Sequence, residues 1–133
     1  MRYMIDSDVC IYAIKGVYPA LNRKLAALAE GAACISVIVY GELQFGATKS
    51  ATPKKMFEGI ERMTEFLTVM PLDEDAAVEY GEIRTHLERK GTPIGANDLW
   101  IGAHALSLGL TLITNNEREF KRIPKLKIEN WTK

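Results

Sequence analysis

Three acids far apart in the chain, Asp6, Glu42 and Asp98, and the amide pair Asn115-Asn116 are the residues best suited to chemistry on a phosphate. A donor set of oxygens alone, with no histidine or thiolate beside it, suits Mg²⁺ or Mn²⁺. Carboxylates crowded together repel, and each raises the other's pKa unless a cation sits among them. Such a cation neutralises a phosphate and activates water for in-line attack. Taken singly, each residue has a plainer use. Asp6 or Asp8 caps the helix that follows. Glu42 is a solvated helix-face residue, and Asn97 or Asp98 is a helix N-cap. Asn116-Glu117-Arg118-Glu119 has the form of a capping box. Convergence decides between these readings, and convergence depends on the fold.

Short apolar runs alternate with longer helical patterns, which predicts parallel βαβ units and an α/β fold with four to five mostly parallel strands. The strands are expected near residues 3–6, 33–36, 67–70, 110–114 and 126–129. Pro19 opens a helix carrying Leu21, Leu25 and Leu28. Val39, Leu43 and Ala47 mark a second, and Met56, Ile60, Met63 and Leu67 a third that starts after Pro53. Asp73-Glu74-Asp75 suits the N-terminus of a long helix with Ala76, Tyr80, Ile83 and Leu87 on one face. After the break at Gly91-Thr92-Pro93-Ile94-Gly95, residues 98–106 are apolar nearly all round, so that helix is expected at the centre, with Gly109 closing it. Crossover helices run antiparallel to the strands, so helix starts share an edge with strand ends. Asp6, Glu42, Asp98 and Asn115-Asn116 then meet at one edge. Asp98 reaches it only if residues 91–96 climb back, and six extended residues span about 20 Å.

A chain of 133 residues is read as one domain, 1–133. Lys+Arg and Asp+Glu both number 17, so no global positive field holds nucleic acid, and any phosphate contact falls to a local rim or to metal ions. Lys49, Lys54, Arg84, Arg89, Lys90 and Arg122 are the candidates for that rim. Cys10 and Cys34 lie in apolar runs and read as reduced core residues in a cytoplasmic protein. No signal peptide or membrane span is apparent.

The ordered set of motifs resembles the PIN-domain ribonucleases, specifically the VapC-type toxins of toxin–antitoxin pairs. It comprises Met4-Ile5-Asp6-Ser7-Asp8, then Ile35-Ser36-Val37 leading to Tyr40-Gly41-Glu42-Leu43, then Gly81-Glu82-Ile83-Arg84. It continues with Gly91 to Asp98, Ile101-Gly102-Ala103-His104-Ala105, Thr114-Asn115-Asn116 with Glu119-Phe120, and Glu129-Asn130-Trp131. The resemblance implies a three-layer α-β-α fold and an Mg²⁺-dependent endoribonuclease that leaves a 5′-phosphate, with Mn²⁺ as a substitute. Asp6 and Asp98 match the family's metal-binding aspartates and Glu42 its further acid. Asn116 falls where many relatives carry a fourth acid, and Glu119 takes over part of that role. Also implied are a homodimer, a structured RNA substrate such as tRNA, and a cognate VapB-type antitoxin. Promoter DNA is reached only through that antitoxin. Residues 37–66 are the expected dimer and antitoxin surface, with plain core packing as the other reading.

Where the family usually has Asn two residues after the first aspartate, this chain has Asp8, which reads better as a helix cap than as a ligand. Asp6-Ser7-Asp8 also fits a phosphatase of the haloacid dehalogenase type, but Thr114 comes after Asp98 where that order needs it before. A non-catalytic receiver domain needs a lysine after the last strand, where Trp131 stands. Neither rival uses Glu42 or Asp98.

Overall fold

The computed structural model describes residues 1–133. The apolar run at the start becomes strand β1 (Tyr3–Ile5), with Met4 and Ile5 wholly buried. Four more strands form: β2 (Ala33–Ser36), β3 (Thr68–Met70), β4 (Thr111–Ile113) and β5 (Ile128–Glu129). They pair in the order β3-β2-β1-β4-β5, every pair parallel, with Tyr3 beside both Ala33 and Thr111. A parallel sheet is covered on both faces, which is why its central strands are continuous apolar runs with no alternation. The chain steps outward from β1 to β3, then crosses back to lay β4 on the other side of β1. The gap beyond the ends of β1 and β4 is therefore the topological switch point, where open α/β sheets bind ligands.

The helices are α1 (Ser7–Lys15), α2 (Pro19–Ala26), α3 (Val37–Lys49), α4 (Pro53–Thr64), α5 (Glu74–Arg89), α6 (Ala96–Ser107) and the single turn α7 (Glu117–Phe120). Pro19 and Pro53 occupy first-turn positions, where a missing N–H costs nothing. The Asp73 carboxylate accepts the Ala76 N–H and caps α5. Gly109, at φ 68°, closes α6: its N–H donates to Leu106 and that of Leu110 to Ala105, the paired Schellman bonds. The expected elements stand with shorter ends. Leu28 and Leu67 lie past the last turns of α2 and α4, and Leu67 is buried on the approach to β3.

Two glycines set helix spacing. Gly102 brings α6 against the Ile123 side chain, which a Cβ there would overlap. A Cβ on Gly59 of α4 would stand 2.6 Å from Ile14 Cγ2 of α1. Gly59→Ala is therefore expected to lose about 1–3 kcal/mol by overpacking. Urea denaturation checks this: the midpoint falls and the slope stays the same. An unchanged midpoint would mean that α4 shifts freely.

Candidate active site

The parallel ladder between β1 and β4 decides the first contact. Ile5 lies beside Ile113, so the next residues, Asp6 and Thr114, leave the sheet side by side. The buried Thr114 hydroxyl donates to Asp6 Oδ2 at 2.7 Å, and its oxygen accepts the Asn116 N–H at 2.9 Å. Asp6 Oδ1 accepts the Ser7 N–H at 2.8 Å, which makes Asp6 itself the N-cap of α1. The expectation that Asp8 is the cap is thereby corrected. Asp8 sits inside the first turn, where its carboxylate accepts the Val9 N–H and lies against Asp6. Capping and membership of the acidic group are not alternatives for Asp6: one oxygen serves each.

Asp98 lies in the first turn of α6, whose N-cap is Gly95, so neither Asn97 nor Asp98 caps that helix. The Asn116 side-chain amide donates to Asp98 Oδ2 at 3.3 Å and to Glu119 Oε2 at 2.8 Å. The capping-box reading of Asn116 therefore fails. Asn116 stands at the N-cap position of α7, but its side chain makes no cap bond and joins two acids instead. Glu42, in the second turn of α3, accepts from Asn97 Nδ2 at 3.4 Å through Oε2. Its other oxygen, Oε1, is buried with no partner. All five expected residues, Asp6, Glu42, Asp98, Asn116 and Glu119, thus gather at the edge where β1 and β4 end.

Burial pushes the Asp6 carboxyl up to about 7, with the charges of Asp8 and Glu42 adding to it. Burial also raises Asp98 to about 8, helped by a hydrogen bond with Glu119 and the charges of Asp6, Glu119 and Glu42. Asp8 moves up by burial. Glu119 moves down because Asp98 donates to it. Asp8 is thus in hydrogen-bonding contact with Asp6, and Glu119 with Asp98.

This is the environment a divalent cation relieves. The donors are all oxygens, one buried carboxylate oxygen has no other partner, and the group carries excess negative charge. No three acids ring a single point by themselves. A cation here would meet one or two of the carboxylates directly and the others through water. Of the rim candidates, Arg122 acts on the acidic group: its guanidinium donates to the Pro93 carbonyl at 2.8 Å, and its charge favours the ionised form of Glu119. Arg84 is engaged by Glu88 and Tyr80, and Lys49 lies over the Phe45 ring.

The sequence profile of the PIN domain matches residues 3–126. The chain belongs to the PIN-domain family. Within it the chain is of the VapC type, a class of metal-dependent nucleases. It is 42% identical over 131 residues to the tRNA(fMet)-specific endonuclease VapC of Salmonella typhimurium, covering 98% of each chain. Ribonuclease VapC2 of Rickettsia felis is 41% identical over 134 residues, all of both chains. Among solved structures, a chain of VapBC2 from Rickettsia felis, bound to a promoter DNA fragment, superposes with a TM-score of 0.92 at 40% identity. That match covers 98% of this chain and 99% of the other. The phosphatase and receiver readings fall away with this match.

A second row of contacts in this PIN domain escaped sequence reasoning. Thr114, at the end of an apolar strand with a polar neighbour on either side of the sheet gap, was the readable signal. Asn97 beside Glu42 had none. Nor did His104: its Nδ1 lies 2.8 Å from Ser36 Oγ, the cap of α3, and burial lowers its pKa. Ser36 Oγ also accepts the Ile38 N–H, so one hydroxyl joins the start of α3 to the His104 ring. The imidazole is thus held neutral between the helix of Glu42 and the helix of Asp98.

Proposed function

We propose that the chain, working as one PIN domain over residues 1–133, is the toxin of a VapBC-type pair: an Mg²⁺-dependent endoribonuclease that hydrolyses RNA phosphodiester bonds. The observation that carries this is the meeting of Asp6, Glu42 and Asp98 at the switch point, where burial raises the pKa of Asp6 and Asp98 and one Glu42 oxygen is unpartnered. Asp6, Asp98 and Glu42 would hold the ion. When bound, Mg²⁺ supplies charge for the phosphate and acidifies a water for in-line attack. Thr114 fixes the Asp6 carboxylate, and Asn116 ties Asp98 to Glu119. Glu119, tied to Asp98 through the Asn116 amide, adds a further acid to the group. Arg122 provides a fixed cation for an RNA phosphate.

The relatives' names support tRNA as the first substrate to try and a VapB-type antitoxin as the partner; contact with promoter DNA through that antitoxin is part of the same proposal. No helix is long and apolar enough to cross a membrane, and the proposed place of action is the cytoplasm. The exposed Phe45 and Val37 of α3, with Phe66 just beyond α4, support the 37–66 face as the homodimer or antitoxin surface.

The purified protein incubated with bulk tRNA and Mg²⁺ is expected to yield discrete 5′-phosphorylated fragments, and none in EDTA. Mn²⁺ restores cleavage and Ca²⁺ does not. Cleavage that persists in EDTA defeats the proposal. Arg122→Ala should weaken RNA binding and flatten its salt dependence by about one counterion. Filter binding across a salt series reads that slope, and an unchanged slope removes Arg122 from the rim.

A further inference from the structure

The donors that hold the acids come from three consecutive residues. Thr114 donates its hydroxyl to Asp6, the Asn115 N–H is directed at Asp8, and the Asn116 amide serves Asp98 and Glu119. The orientation of this turn therefore sets the spacing of four carboxylates. What holds the turn from outside is Asn130. It is the first residue past β5, where Thr114 N–H already donates to the Glu129 carbonyl at 3.0 Å. Its amide nitrogen donates to Asn115 Oδ1 at 3.2 Å and to Glu117 Oε2 at 3.1 Å. Its oxygen accepts the Thr132 N–H at 2.9 Å and the Thr132 hydroxyl at 2.6 Å. Thr132 Oγ1 also lies 2.9 Å from Asn115 Oδ1. The neighbouring Trp131 is buried, edge-on to Tyr3 of the central strand, which anchors the segment to the core.

We infer that Asn130 is a positioning residue for the proposed metal site: it clamps the Thr114–Asn116 turn and so sets the reach of Asp6, Asp8, Asp98 and Glu119. This rests on the nuclease reading above for its activity arm alone. Both the amide donors and the oxygen acceptor are in use, so no isosteric replacement keeps the whole clamp. Asn130→Asp keeps the bonds from Thr132 but loses both donors, and the new carboxylate faces Glu117. Adding Glu117→Gln removes that repulsion and returns a donor to the contact. Groups that orient ligands from behind typically change metal affinity about 10–100-fold, and one further step out the lower end applies.

The test uses the full chain and Mn²⁺ alone as probe. Mn²⁺ affinity is read by electron paramagnetic resonance, and amide hydrogen exchange is followed at Asn115 and Asn116. Asn130→Asp is expected to weaken Mn²⁺ about tenfold and speed exchange at both amides. The double variant N130D/E117Q should recover most of both losses. Asn130→Ala should behave as Asn130→Asp, with the chain's tryptophan fluorescence, from Trp100 and Trp131 together, unchanged because the anchor stays. If both single variants bind Mn²⁺ as the unaltered chain does, the clamp has no role in the site. If affinity falls and the double variant fails to recover it, the loss is structural and the inference is overturned. Should the unaltered chain bind Mn²⁺ yet cleave no RNA, the nuclease reading fails while the clamp still stands on its binding arm.

Discussion

Asp98→Asn removes RNA cleavage by about a thousandfold or more, because the variant gives up charge that is worth several kcal/mol at the transition state. The same substitution leaves the chain folded and, in EDTA at about pH 8, melting above the unaltered protein. Both halves follow from one arrangement. Asp98 is surrounded by Asp6, Glu42 and Glu119, and its carboxyl is pushed up to about 8, so ionising it without a cation opposes folding. An amide fills the same space without the charge and can still meet Asn116. Circular dichroism melts and a gel-based cleavage assay read the two effects on one sample. Asp98→Asn with undiminished cleavage would remove Asp98 from the machinery. Lost cleavage with a lowered melting point would mean that the residue holds the fold instead.

The metal-free protein should lose stability as pH rises through neutrality. Asp6 and Asp98 titrate near 7 and 8 in the folded chain, against an ordinary value of 3.8. A raised folded pKa means that the folded state binds the proton more tightly. Its contribution is therefore complete below the unfolded value and disappears as pH climbs through the folded one. Melting in EDTA should fall by about 5 °C or more between about pH 6 and about pH 8.5, with Asp6 and Asp98 both contributing. His104 acts in the other direction lower down. Its pKa is depressed by burial, so stability falls as pH drops below the ordinary histidine value of 6.5. Excess Mn²⁺ should raise the melting point much more at the alkaline end, where no proton competes for the carboxylates. A melting point in EDTA that is flat or rising across this range contradicts the raised values, and an equal Mn²⁺ shift at both ends contradicts the site.

The strand runs and helix starts were readable because burial on both faces of a parallel sheet leaves long apolar stretches, and because Pro19, Pro53, Asp73 and Gly109 mark boundaries by backbone chemistry. The convergence of Asp6, Glu42 and Asp98 followed from topology, since helix starts and strand ends share an edge. What the sequence left open was division of labour among neighbours. Asp6 and Asp8 are both suited to capping, and the choice fell to Asp6 through the direction in which β1 ends. Asn116 has the spacing of a capping box, but a pair of acids competes for its amide and wins. The tie between Ser36 and His104 joins residues that no local pattern relates, and only the packed helices bring them together.

The position of β1 carries a consequence for how the molecule is made. The strand of this sheet that comes earliest in the chain, β1, is the central one, and it gains its second neighbour only when β4 exists. Non-local parallel pairings of this kind form slowly, after the intervening chain has closed its loops. The acids are dealt out along the same path: Asp6 early, Glu42 in the first third, Asp98 and the Asn115–Glu119 turn in the last. A chain that stops short of β4 holds part of the set and cannot bring it together. For a protein proposed to cut RNA, the order of the strands ties competence to the formation of β4 and the turn after it, because no shorter stretch of chain brings the acids together.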